Sequence, residues 1–136
     1  MDLKNIFLFL YLAVDVAYVI ASKQYYGGYV EKIQGMPMAS KRESLWVAAL
    51  SYAFLGLGWW FFVATPTTPK TTYTDLLLRA IIYALAVYGV FNATLYVMFT
   101  QWDWRISLRD TLWGVGWITL VSLFYLWALR TIKSEK

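Results

Sequence analysis

Few side chains in this sequence can do chemistry. Asp15, Asn92 and Asp110 lie in or beside long apolar runs, with Asp75, Asp103 and a set of tyrosines nearby, and the 136 residues contain no histidine and no cysteine. That removes the commonest general base, every thiolate nucleophile and the usual ligands of zinc and copper. A carboxyl at membrane depth can hold a proton or a cation, and it can equally accept hydrogen bonds that tie helices together. No phosphate loop, dinucleotide fingerprint, His-containing triad or metal-ligand cluster occurs in the chain. The sequence is therefore read as a non-enzyme, with no catalytic residue, no metal site and no cofactor.

Asp15 falls near the middle of the first apolar run, where an ionised carboxylate is costly and must be neutral, paired or hydrated. At about 100° per residue, Tyr11, Asp15, Tyr18 and Ser22 fall within a ~60° arc, a polar seam on one face of an apolar helix. The functional reading is a proton- or cation-handling site. The structural reading is a buried acceptor that fixes helix packing through Tyr, Asn or backbone donors, and it is preferred because one acid alone makes no pathway. The expected partner is Tyr88 or Asn92 on the third helix.

Asn92 has Tyr88 and Tyr96 four residues to either side, a second seam with the same helical geometry. Asn92-Ala93-Thr94 has the form of a glycosylation sequon, but inside a membrane span the transferase cannot reach it. Interhelical hydrogen bonding is the expected role. Asp110 stands before the fourth run, where an acid caps free amides and meets the helix dipole. Asp110, Trp113, Gly114 and Trp117 share one face of that helix, and Gly114 and Gly116 are expected where another helix backbone approaches.

The elements that must position these groups are membrane helices. Residues are 60% hydrophobic, 20% aromatic and 15% charged, against roughly 25% charged in soluble domains, which excludes an ordinary soluble fold and intrinsic disorder. A hydrocarbon layer of about 30 Å needs apolar runs of roughly 17–25 residues. Four runs qualify, at about 6–22, 45–65, 76–100 and 111–130, and all three prolines (Pro37, Pro66, Pro69) fall between them. A secretory leader is the alternative for the first run, and Asp15 argues against it by interrupting the apolar core.

Thr65 to Lys70 forms a short proline-punctuated turn, so the second and third helices are antiparallel neighbours. The longer stretch from Lys23 to Ser44 has room for an extra element, with Tyr25 to Tyr29 lying in the headgroup layer and a basic stretch ending at Lys41-Arg42. Trp46, Trp59, Trp60, Trp102, Trp104 and Trp127 sit near the predicted helix ends, as two aromatic belts would. Asp75 is read as the cap of the third helix, and Arg79 as a side chain extending towards the headgroups. The formal charge of +4 is spread along the chain, which favours contact with anionic headgroups over nucleic acid. The 12 Lys and Arg residues divide equally between the two sides, so the positive-inside rule gives no orientation.

The pattern resembles a family of small four-helix predicted membrane proteins catalogued as domain of unknown function 2177. The resemblance rests on Asp15 followed by Tyr25-Tyr26, on Trp46-Val47-Ala48-Ala49 with Tyr52 and Gly56, on Tyr88 through Thr94 with Trp102, and on Asp110 with Trp113-Gly114. It covers roughly Leu8 to Tyr125. This chain has Phe91-Asn92 where the family carries Tyr-Asp, and Leu95 in place of a family asparagine, so an acid and an amide are missing from the seam. The resemblance implies a four-helix membrane fold and brings no activity with it.

The expectation is a single all-α membrane domain over residues 1–136, a multi-pass four-helix bundle with both termini on one side. Its function is expected to be structural: a small subunit packing through aromatic and small-residue faces against lipid and other membrane chains, as in an organelle complex or the internal membrane of a virion. The alternative is a small transporter, channel or proton-conducting module using Asp15.

Overall fold

The computed structural model describes residues 2–37 and 44–134. The chain is all-α, with four helices each long and apolar enough to cross a membrane: α1 (Leu3–Gln34), α2 (Ser44–Ala64), α3 (Tyr73–Met98) and α4 (Trp104–Ser134). Local chemistry sets their ends. Asp2 accepts from Lys4 N at 3.3 Å, and Gly35 closes α1 in the left-handed region at φ 71°, its N–H reaching Glu31 O at 2.8 Å, a conformation glycine adopts without a Cβ penalty. Thr72 and Asp75 form a capping pair: Asp75 N donates to Thr72 Oγ1 at 3.1 Å and Thr72 Oγ1 donates to Asp75 Oδ2 at 2.7 Å.

Several sequence expectations are corrected. α1 does not stop at Ser22 but continues through Gly27 and Gly28 to Gln34, so Tyr25 to Tyr29 are helical and not a separate element. At 1.5 Å per residue its 32 residues span about 48 Å, more than the hydrocarbon layer needs. Lys41-Arg42 lie outside the described residues. The cap of α3 is Thr72, not Asp75. α4 begins at Trp104, and Asp103 Oδ1 accepts from Arg105 N at 2.9 Å, so Asp110 lies inside the helix and does not cap it. Trp59 is fully buried, Trp102 nearly so and Trp60 partly, which leaves Trp46, Trp104 and Trp127 as the fully outward members of the belts.

The core runs between α2, α3 and α4 and takes in one face of α1. Tyr11, Trp59, Leu76, Tyr83, Ile118, Val121, Tyr125 and Leu126 are among its buried residues. Trp59 is held from two sides, by its ring edge to face on Tyr125 at 5.7 Å and by Nε1 donating to Ser122 Oγ at 3.0 Å. One end of the bundle is tied by Arg130, whose Nε and Nη2 donate to Pro69 O and Thr71 O, and Phe7 of α1 lies 5.6 Å from Tyr125 at this end.

Two helices widen locally into π-type turns, at Trp59–Ala64 in α2 and Leu85–Gly89 in α3. Such turns leave carbonyls open to side chains. The second matters most, because it carries Tyr88 and precedes Asn92.

Candidate functional site

A continuous set of polar side chains joins α1, α3 and α4. Asp15, 3% exposed, accepts two hydrogen bonds on Oδ1: from Tyr88 Oη at 2.7 Å and from Trp113 Nε1 at 3.0 Å. Trp113 also stacks on Tyr18 of α1, ring centroids 4.2 Å apart and planes 8° from parallel. One turn further along α3, Asn92 Nδ2 donates both to Tyr88 O at 2.8 Å and to Asp110 Oδ2 at 2.6 Å. The other oxygen of Asp110 accepts from Tyr26 Oη at 2.9 Å, and Tyr26 meets Tyr18 Oη at 3.4 Å.

The two acids therefore sit on one ring of contacts. It runs from Asp15 through Tyr88 and Asn92 to Asp110, and back through Tyr26, Tyr18 and Trp113. Neither carboxyl is paired with a lysine or arginine among the described residues. Tyr52, half-buried on α2, lies within electrostatic reach of both. Beyond Asn92 the polar contacts continue towards the α3–α4 turn: Ser107 Oγ donates to Asn92 O at 3.0 Å and Trp102 Nε1 to Ser107 Oγ at 3.0 Å. At 1.5 Å per residue, Asp15 is about 18 Å along α1 from Leu3 and Asp110 about 9 Å along α4 from Trp104, so the ring spans mid-membrane to near one end of the bundle.

Backbone and small residues make this possible. A Cβ on Gly114 would collide with the ring of Tyr88, and one on Gly58 would lie 2.6 Å from Tyr83 Cε2. Each glycine is thus the floor over which a tyrosine of α3 crosses, Tyr83 to donate to Leu55 O at 2.6 Å and Tyr88 to reach Asp15. Gly114 meets a side chain and not a helix backbone, and Gly116 has nothing within 4 Å, which corrects the expectation for both.

Tyr11, Tyr18, Tyr88 and Asn92 all lie beside Asp15 or Asp110, although the Tyr11 hydroxyl is buried without a hydrogen-bond partner among the described residues. Tyr96 does not join them: it is 53% exposed and belongs to the outer face of α3. Sequence reasoning missed Tyr26, Tyr52 and Ser107. Tyr26 was findable, since it continues the Tyr11, Asp15, Tyr18, Ser22 stripe by one turn once α1 is allowed to pass Gly27-Gly28.

Chemically the ring offers hydroxyl, amide and indole donors to two carboxyls. Among the described residues no group of three or more His, Cys, Asp or Glu is placed to hold a metal ion.

The family model described as predicted membrane protein (DUF2177) matches residues 4–127. No curated protein and no solved structure matches the chain.

Proposed function

The chain belongs to this family of predicted membrane proteins, and from its paired polar ring and the sparsely packed first part of its second helix we propose a small structural or interaction subunit. In this reading it packs against other membrane chains in a larger assembly, is not an enzyme, and has both termini on one face of the membrane. The observation that carries the proposal is α2. Between Ser44 and Gly58 it buries Gly56 alone, while Leu45, Trp46, Val47, Leu50, Phe54 and Leu57 face away from the rest of the chain, Trp46 at 82% exposure. α3 by contrast buries Leu76, Ala80, Tyr83, Ala84, Tyr88 and Asn92. Helices in lipid associate by close packing and hydrogen bonds and not by the hydrophobic effect, so the first two-thirds of α2, which makes few inward contacts while Trp59, Val63 and Ala64 anchor its end in the core, is suited to packing against a neighbouring chain.

The paired ring supports the same reading. Each donor satisfied on Asp15 or Asp110 ties one helix to another, which makes a rigid body of α1, α3 and α4. The native chain has no cysteine, which makes the test direct. A single Leu50→Cys variant should cross-link to another membrane chain in native membranes, whereas Val97→Cys, on the outer face of α3, should not. Equal labelling by lipid at both positions with no protein cross-link, and a lone monomer by mass in mild detergent, would defeat the proposal.

One observation favours a second reading, a proton- or ion-conducting module. Asp15 and Asp110 lack a cationic partner among the described residues, and the polar contacts from Asp15 continue to Ser107 and Trp102 near one end of the bundle. Conduction needs a hydrated route, and a flux measurement separates the two readings.

A further inference from the structure

The arginines at the two ends of the bundle are used differently. Arg130 spends Nε and Nη2 on the carbonyls of Pro69 and Thr71, and Arg79 donates Nε to Asp75 O at 3.1 Å. The guanidiniums of Arg105 and Arg109, one turn apart on α4, donate no hydrogen bond and close no ion pair among the described residues. Each rests on an aromatic face, Arg109 4.7 Å from the ring centre of Tyr25 and Arg105 5.8 Å from that of Trp104, as Arg130 does on Tyr73, but without the carbonyl partners that Arg130 has. Lys32 adds a third cation nearby, 5.4 Å from the ring of Tyr29, which itself lies in the field of Arg105.

A guanidinium held over a ring keeps its N–H groups at the edge, free for an acceptor. The face of α4 that carries the two arginines also carries leucines between and beyond them. Trp104, Arg105, Leu108, Arg109 and Leu112 line an open groove of about 460 Å³. Arg105 sits beside Trp104 at the start of α4, Leu108 and Arg109 lie one turn further in, and Leu112 a turn beyond them. The acids at this end are already engaged, Asp103 by Arg105 N and Asp110 by Asn92 and Tyr26, so two guanidiniums with N–H groups to spare beside an aliphatic wall match one molecule in the surroundings of this chain, a phospholipid with a net negative headgroup.

We propose that Arg105 and Arg109 form a binding site for the phosphate of an anionic phospholipid, whose acyl chain lies along Leu108 and Leu112. This is independent of the structural reading above. The two guanidiniums clamp the phosphate oxygens, Tyr25 and Trp104 hold the guanidiniums in place, and Trp104 marks the depth of the headgroup. A zwitterionic lipid offers the same phosphate but brings its own cation to a site that already holds two, so it binds less well.

The test uses the full chain in detergent, delipidated and then mixed with vesicles of phosphatidylcholine containing a minor share of phosphatidylglycerol, and reads retained lipid by native mass spectrometry. Wild type should retain phosphatidylglycerol over phosphatidylcholine by roughly tenfold or more. Arg105→Gln with Arg109→Gln should lose that preference, while Arg79→Gln, at the other end of the bundle, should keep it. A second pair, Arg105→Lys with Arg109→Lys, keeps the charge and the fold but loses the bidentate fork, and should fall between. Inorganic phosphate at millimolar concentration should not displace the lipid. No preference in wild type, an unchanged preference in the folded lysine and glutamine pairs, or displacement by phosphate alone would overturn the proposal.

Discussion

Tyr88 lies across Gly114, and the contact is tight enough that any side chain at position 114 would occupy the space of the phenol ring. The crossing brings the Tyr88 hydroxyl to Asp15, 73 residues away in sequence and 2.7 Å away in space. A glycine on α4 thus decides whether an acid on α1 has a donor from α3.

Gly114→Ala should overpack this crossing at a cost of about 1–3 kcal/mol. Gly116→Ala meets open space and should gain up to about 1 kcal/mol from helix propensity. Thermal unfolding in detergent compares them, and equal behaviour of the two variants would show that Tyr88 moves aside freely.

Removing hydroxyls one at a time separates bonded tyrosines from unbonded ones. Tyr88→Phe takes one of the two donors from Asp15 and should cost about 1–3 kcal/mol. Tyr11→Phe removes a buried hydroxyl that bonds to nothing described, so its stability should stay within about 0.5 kcal/mol of wild type or rise. A loss at Tyr11 as large as that at Tyr88 would contradict the assigned bonding.

The two acids at the start of α4 have different jobs. Asp103→Ala deletes a cap and should cost about 1 kcal/mol, felt locally. Asp110→Leu strands Asn92 and Tyr26 without their acceptor, and should cost about 2 kcal/mol or more with loss of the α1–α4 contact. Hydrogen exchange at Tyr26 and its neighbours reads that contact, and protection that survives Asp110→Leu would place the tie elsewhere.

Four apolar runs were legible because length against bilayer thickness is a strong constraint, and the Asp15 stripe was legible because helical periodicity is. What escaped was the continuation of each beyond an apparent stop. The first apolar run ends at Ser22, before Lys23, yet the helix runs on through Gly27-Gly28, which nothing approaches, to Gly35, the one glycine with positive φ; a glycine inside a helix costs only about 1 kcal/mol and does not end it. Asp110 read as a cap because the apolar run begins after it, whereas the helix itself starts at Trp104 with Asp103 as its cap. Counting two turns of four from Tyr88 puts Tyr96 on the seam, but eight residues at 3.6 per turn place it about 80° round the helix, where it faces outward.

In the proposed reading Asp15 holds helices together and does not carry ions. Asp15→Asn keeps an acceptor for Tyr88 and Trp113, and Asp15→Leu removes it. The most direct measurement is the assembly state of wild type and both variants, by mass in mild detergent, together with ion flux across a pH gradient in proteoliposomes. The structural account predicts no flux in any of the three, normal assembly for Asp15→Asn and impaired assembly for Asp15→Leu; a pH-dependent flux in wild type that disappears in a normally folded Asp15→Asn would contradict it.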